Sequence, residues 1–278
     1  MNDARSPGNV RPGRPRPALF RALGNEAPPE RVTLADGRTF AREETLKSDS
    51  WALTALYRSS EGERIVVKLH RREPILGIPM AWLGERLARR ESRALQLLAD
   101  LRGVPADLGP VLAGGRLLRN AAARTYVPGA PLRAGYRPDD AFFPELRRIL
   151  DALHERGIAY LDLTKRDNVI VDPEGRPHLI DFQIHVRVPP RRFLAPWRKL
   201  LFRTDDFHLH KHVARHRRDL LTEEEATLTR QRPLPNRLWR WCVMRPFQGV
   251  RRRLLVLLGI RRGAGDARTE HEVREGLR

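Results

Sequence analysis

Asp162, Lys165, Asn168 and Asp181 have the residue types and spacing for one kind of chemistry. The first three stand in a loop that a helix delivers. Asp181 follows a short hairpin, Val169-Ile170-Val171, Pro173-Glu174-Gly175 and His178-Leu179-Ile180. Phosphoryl transfer asks few parts of a protein: a carboxylate for the nucleophile, oxygen ligands for magnesium, and cations on the phosphates. Magnesium prefers carboxylate and carbonyl oxygens, which Asp181 and Asn168 would supply. The hairpin matters because it returns the chain and places both ligands at one edge of a cleft. Singly, each residue has a blander explanation. An Asp beside an Asn often makes an Asx turn, and Asp181 can cap a helix. Order and spacing together carry the reading.

The elements that must hold these residues can be read from hydrophobic periodicity. Arg31-Val32-Thr33-Leu34 and Arg38-Thr39-Phe40 flank a turn at Asp36-Gly37, a hairpin pattern. A second strand pair runs from Trp51 to Ser60 and from Arg64 to Leu69 around Glu61-Gly62. Leu83, Leu87, Ala94, Leu98 and Leu101 form one stripe of a helix over about 81–101. Apolar runs at Val111–Leu118 and Ala121–Val127 predict strands. Phe142, Leu146, Ile149, Leu150 and Leu153 share one helical face that ends near Gly157. The first half is thus β-rich with one helix and the second α-rich with one hairpin, which predicts an α+β chain of two unlike lobes. The expected division is a Pro/Arg-rich flexible tail over 1–30, an N-lobe over 31–130 and a C-lobe over 131–225. Basic amphipathic helices follow over 226–262, then a flexible tail over 263–278.

A net charge of +19 over 278 residues suits anionic partners. It is clustered: no acidic residue lies between Glu225 and Asp266, a stretch dense in arginine. The single cysteine, Cys242, excludes an internal disulfide, and no Cys/His zinc spacing occurs. The start has no apolar run of a secretory signal, and no stretch reaches the roughly 18 apolar residues of a spanning helix. A cytoplasmic protein is expected.

The segment Y-x-D-L-x-K-R-x-N-x-I-V over 160–171, followed by L-I-D-F-Q over 179–183, resembles the catalytic loop and D-F-G region of the protein-kinase superfamily. Its wording is most similar to small bacterial lipopolysaccharide-core and Kdo kinases. The resemblance covers about residues 45–185 and implies a small two-lobed kinase-like fold, with ATP and Mg2+ as cofactors. It implies Asp162 as catalytic base, Lys165 as the cation on the transferred phosphate, and Asn168 and Asp181 as metal ligands. Ile65-Val66-Val67-Lys68 resembles the strand bearing the phosphate-binding lysine. Glu91, 23 residues later, would pair with Lys68. Tyr126-Val127-Pro128-Gly129 resembles the hinge whose backbone binds adenine.

There are departures from the pattern. Asn168 follows Asp162 by six residues instead of five, which places an extra residue before Lys165 and leaves Asp167 as an alternative ligand or cap. Tyr160-Leu161 replaces the dipeptide before the base, so no arginine awaits a phosphorylated loop. Gln183 stands where glycine follows Phe182 and should stiffen that turn. The glycine-rich loop is replaced by LKSDSWALT, in which Ser48 and Ser50 are expected to cover phosphates. No A-P-E segment is present.

His208, His210, His212 and His216 cluster, and His208 to His212 has the spacing of helical metal ligands. Lys211, Arg215 and Arg217 would repel a cation there, so a basic helix below the cleft is expected, structural or binding an anionic acceptor. By analogy with larger kinases, Asp205 or Asp206 would support the catalytic loop from beneath. Residues 230–262, with Trp239, Trp241 and Phe247 among arginines, either lie on an anionic membrane surface or close the second lobe, with a kink at Pro246. The expected function is an ATP-dependent kinase acting on a glycolipid sugar hydroxyl at the inner membrane face. The alternatives are a Ser/Thr protein kinase and a non-catalytic nucleotide- or RNA-binding pseudokinase. The basic stretches lack the aromatic stacking motifs of RNA modules, and no DNA partner is expected.

Overall fold

The computed structural model describes residues 18–75 and 77–230. The N-terminal part is an antiparallel sheet of β1 (Arg31–Leu34), β2 (Thr39–Ser48), β3 (Ala52–Ser59), β4 (Arg64–His70), β5 (Val111–Ala113), β6 (Arg116–Leu117) and β7 (Ala121–Thr125). Its strand order is β6-β5-β1-β2-β3-β4-β7. Helix α1 (Ala81–Leu97) crosses from β4 toward β5. After the linker come β8 (Ala130–Pro131), α2 (Phe142–Glu155), β9 (Ile158–Ala159), the hairpin β10 (Val169–Val171) and β11 (Pro177–Leu179), β12 (Val186–Arg187), α3 (Ala195–His216) and α4 (Glu223–Arg230). β10 pairs with β11 and β8, and β12 with β9. The expected α+β organisation with a β-rich and an α-rich half is present.

Two cores account for the two halves. One face of the large sheet buries Val32, Leu34, Phe40, Leu53, Ala55, Tyr57, Ile65 and Val67. The stripe predicted for the second helix, Phe142, Leu146, Ile149, Leu150 and Leu153, is buried in the other core. Burial of each such side chain is worth about 1.5–3 kcal/mol. Ala94, Leu95 and Leu98 at the end of α1 belong to this second core. Glu91, one turn earlier, points at β4, so α1 is shared by both halves.

Two differences from the sequence reading have clear causes. Residues 18–24, read as flexible tail, pack on the sheet: Phe20, Ala22 and Leu23 are buried. The surrounding Pro, Arg and Gly mask this short apolar run in composition. The fully buried Arg71 guanidinium fixes it by donating to the carbonyls of Leu19, Ser50 and Pro74 at 2.9, 2.6 and 3.1 Å. Strand β2 continues eight residues past Phe40, through a polar stretch with no apolar alternation, because it pairs with β3 as far as Ser48 and Leu53. The expectations for residues 1–17 and 231–278, including the membrane-facing helices, lie outside the described residues.

Candidate functional site

A cavity of about 750 Å³ lies where the sheet, the linker and the β10–β11 hairpin meet. Lys68, Glu91, Tyr126, Val127, Asn168 and Asp181 line it. Strand parity explains the upper wall. Lys68 on β4 pairs with Thr54 on β3, which pairs with Lys47 on β2. Directly opposed residues share a face, so Lys47, Thr54 and Lys68 look into the cavity while Leu53 and Ala55 enter the core. A β-bulge between Thr45 and Lys47 shifts the alternation, so that Glu44 as well as Lys47 lines the cavity.

Lys68 is the centre of a buried ion cluster. Its Nζ lies 2.6 Å from Asp181 Oδ1 and 3.3 Å from Glu91 Oε2. His70 Nε2 approaches the same Glu91 oxygen at 3.3 Å, without hydrogen-bond alignment. Burial works most strongly, and upward, on the Glu91 pKa, but the Lys68 charge and the His70 contact together outweigh it and hold the carboxyl below its usual range. Burial likewise opposes ionisation of Asp181, yet Lys68 pulls this carboxyl down to about 2. Burial disfavours the Lys68 ammonium, but Glu91 and Asp181 more than compensate and raise its pKa. One cation between two carboxylates is thus locked in the charged state.

The opposite wall is the loop after β9. Asp162 Oδ2 accepts from Lys165 Nζ at 2.7 Å and from Asn168 Nδ2 at 2.9 Å. Asn168 Nδ2 also donates to the Asp162 carbonyl at 3.0 Å. The Asp162 carboxyl pKa is raised, burial outweighing the neighbouring Lys165 charge. It is the more basic of the two facing aspartates. The extra residue of this loop is absorbed by two successive turns, Lys165 N to Asp162 O and Asn168 N to Lys165 O.

What shapes the loop lies beneath it. Leu161 has φ 63°, in the left-handed region that a branched side chain avoids. Asp205 on α3, fully buried, holds it there by accepting from Tyr160 N at 2.8 Å and Leu161 N at 2.7 Å, and by contacting His154 Nε2 at 3.0 Å. Of the two aspartates considered, it is therefore Asp205 that supports the loop, while Asp206 pairs with Arg147. Three of the four clustered histidines do related work. His212 Nε2 donates to the Leu163 carbonyl at 2.5 Å, His208 Nε2 meets Thr164 Oγ1 at 3.2 Å, and His216 Nδ1 reaches the Tyr136 carbonyl at 2.8 Å. They recur every four residues and so line one buried face of α3. His210, on another face, contacts Arg147 and Glu225. Among the described residues no cluster of three or more His, Cys, Asp or Glu side chains could hold a metal ion.

Asp181 has φ 65° and accepts from Gln183 N at 3.3 Å, so it is a local cap as well as a partner of Lys68. Tyr160, buried beneath it, donates its hydroxyl to the Ile180 carbonyl. The linker is drawn tight at Gly129, where φ is +128° and a Cβ would collide with the Val171 carbonyl.

The structure therefore brings Lys68, Glu91, Tyr126, Val127, Asn168 and Asp181 onto one cavity wall, with Asp167 beside them. Asp162 and Lys165 lie just behind that wall, joined to it through the bonds of Asp162 to Asn168 and Lys165. Ser48 and Ser50 are not brought there. Ser48 pairs with Leu53, whose side chain faces the core, and Ser50 Oγ donates to the Phe20 carbonyl at 3.3 Å. The turn between β2 and β3 is held by Asp49, which accepts from Trp51 N and Ala52 N at 2.7 and 3.0 Å. Sequence reasoning missed Glu44, Lys47 and Arg124 on the cavity wall. The parity of Arg124 with Lys68 across β4 and β7 was a signal that could have found it.

Asn168 and Asp181 suit a magnesium ion on chemical grounds. The Asn168 amide nitrogen is committed to Asp162, which turns its oxygen away from that residue, and Asp181 is firmly ionised. Magnesium shared with phosphates needs only one or two protein oxygens.

No protein-family model matches the sequence, and no curated protein matches it. Among solved structures, the chain is similar to the Rio2 kinase–ADP/Mg2+–phosphoaspartate complex from Chaetomium thermophilum, at 16% identity and a TM-score of 0.49. The match covers 66% of this chain and 59% of that one. A second structure of Rio2 kinase from the same organism matches at 16% identity and a TM-score of 0.48, over 66% of this chain and 60% of that one. The chain thus spans about three fifths of the length of these structures. The order of elements is a sheet with one helix, a linker, a helix, a loop and a hairpin ending in Asp181, the α+β order expected from the sequence.

Proposed function

We propose that this chain is an ATP- and Mg2+-dependent phosphotransferase that transfers the terminal phosphoryl group to an alcohol. The observation that carries the proposal is the adjacency of two preformed clusters at one cavity, Lys68 with Glu91 and Asp181, and Asn168 with Asp162 and Lys165 behind it. Glu91 orients Lys68, whose charge is offered to the phosphates. The raised basicity of Asp162 suits it to orient the acceptor hydroxyl and take its proton as the oxygen attacks phosphorus and the bond to the leaving nucleoside diphosphate breaks. Lys165, bonded to Asp162, is placed to offset charge developing on the transferred group. Asn168 and Asp181 would hold magnesium, which when bound supplies charge neutralisation on the phosphate oxygens.

The acceptor we propose is anionic, a phosphorylated glycolipid sugar hydroxyl of the lipopolysaccharide type at the inner membrane face. Its support is the local wording of the catalytic loop, the net charge of +19, and an exposed basic-aromatic segment after Asp181. In that segment Phe193 and Trp197 are 71% and 63% exposed beside Arg191, Arg192, Arg198 and Lys199. Among the described residues no helix is long and apolar enough to cross a membrane. One observation favours a non-catalytic nucleotide-binding role instead: the Asp49-capped turn brings neither Ser48 nor Ser50 to the phosphates.

The test is incubation of the full chain with Mg2+ and γ-labelled nucleoside triphosphate, together with a lipid extract or a protein fraction. Label in a glycolipid is the expected result, and label in protein moves the acceptor to Ser or Thr. Nucleotide bound without hydrolysis or transfer leaves the non-catalytic role and removes the enzyme.

A further inference from the structure

Arg124 lies in the part of the cavity that the phosphotransfer reading leaves to the nucleoside. Val66 pairs with Arg124 and Lys68 with Ala122, so Arg124 shares the cavity face of the sheet with Lys68. At about 3.4 Å per residue it sits roughly 7 Å along β7 from the level of Lys68. It is two residues short of Tyr126, where the linker begins. Arg124 is therefore between the phosphate-holding ammonium and the backbone assigned to the base.

Its bonding is incomplete for a guanidinium at such a site. Arg124 is half-buried and, among the described residues, has no carboxylate within ion-pair distance, although Glu91 and Asp181 are near enough to attract it electrostatically. Its one hydrogen bond runs from Nη1 to the Thr125 carbonyl at 3.2 Å. A guanidinium has five N–H donors and no acceptor, and those that a bound base would cover need partners on that base. The Thr125 carbonyl, the backbone acceptor just before the linker, is already engaged by this bond.

Resting on the phosphotransfer reading, we propose that Arg124 sets the base preference of the donor site, favouring a 6-oxopurine, guanine, over the 6-aminopurine adenine, so that ATP is a usable donor bound less tightly than GTP. The chemistry is a match of donors and acceptors. Guanine presents O6 and N7, two adjacent acceptors that a guanidinium meets with two parallel N–H groups. Adenine presents N7 but carries an amino donor at position 6, which would face the Arg124 donors and have to share the Thr125 carbonyl with Arg124 Nη1. A purine edge of the wrong type leaves buried donors unpaired, the situation in which polar sites discriminate most strongly.

The experiment is equilibrium binding of MgATP, MgGTP and MgITP to the full chain, wild type beside Arg124→Met and Arg124→Gln. The wild type is expected to bind GTP and ITP roughly tenfold to a hundredfold more tightly than ATP, the discrimination of one bidentate pair. ITP has the 6-oxo group without the 2-amino group, so its agreement with GTP assigns the effect to position 6. Arg124→Met is expected to abolish the preference. Wild-type affinity for ATP equal to or above that for GTP overturns the proposal by itself, without reliance on any variant. So does a GTP-to-ATP ratio unchanged in both variants. Tight ATP binding with transfer would leave the phosphotransfer reading standing, whereas no binding of any of the three nucleotides removes both.

Discussion

Replacing Asp205 by Ala tests whether the catalytic loop is held from beneath. The carboxylate is wholly buried and takes the amides of Tyr160 and Leu161 at 2.8 and 2.7 Å and a His154 contact at 3.0 Å. Removing it leaves two buried N–H groups without acceptors, each costing about 1–3 kcal/mol. Release of Leu161 from its positive φ of 63° returns about 1 kcal/mol, since that conformation is held against its own preference. A net loss of about 1–5 kcal/mol follows, centred near ~3 kcal/mol, and for a folded body of this size each kcal/mol lowers Tm by about 2–4 °C. Differential scanning fluorimetry should therefore show a drop of roughly 5–15 °C. Turnover, measured below the new Tm, should fall about a hundredfold because Asp162 follows Leu161 directly and loses its aim. Asp206→Ala, which breaks only the half-exposed pair with Arg147, is the control and should cost no more than about 1 kcal/mol. If Asp205→Ala melts within 1 °C of wild type and retains its turnover, the support argument is wrong.

Other consequences can be checked on purified protein. Lys68→Met leaves Glu91 and Asp181 without their cation and should cost about 3–5 kcal/mol in chemical denaturation. Adding Glu91→Leu should restore part of that loss; additive losses would contradict the coupling. His212 has its pKa lowered from 6.5 to about 4, chiefly by burial. The unfolded chain therefore takes up its proton first, so stability from this site is complete above pH 6.5 and drains away as pH falls toward 4. The loss is worth up to ~3 kcal/mol, and His212→Gln should flatten that part of the stability–pH curve. An unchanged slope in the variant would assign the pH dependence elsewhere. Gly84→Ala on α1 would drive a Cβ into the Arg71 carbonyl, so it should destabilise by about 1–3 kcal/mol although alanine is the better helix former. A more stable variant would refute that packing.

Elements with strong periodicity were legible in the sequence. The α2 stripe and the strands around Lys68 fall where the apolar spacing puts them, because burial dictates both. The order Lys68, Glu91, Asp162, Asn168, Asp181 was legible too, since spacing along the chain survives without any knowledge of contacts. What could not be read were features fixed by long-range contacts. The extension of β2 depends on pairing with β3, not on its own polar residues. Ser48 and Ser50 looked suited to phosphates by residue type, but the bulge at Leu46 and the cap at Asp49 decide which side chains face the cavity. The histidines of α3 read as a metal or basic motif, whereas three of them hold loop atoms that lie 44 to 80 residues earlier. Arg71 gave no signal at all, because among the described residues its guanidinium hydrogen-bonds to three backbone carbonyls and sequence does not announce those.

The central claim is that the adjacent clusters form a phosphotransfer site. Its most direct test is Mg2+-dependent turnover of ATP and of GTP by wild type, Asp162→Ala and Asp181→Asn, with melting curves to confirm that each variant is folded. Turnover in the wild type that falls at least a hundredfold in both folded variants is the predicted result. Folded variants that turn over nucleotide at the wild-type rate would contradict the assignment of this cleft.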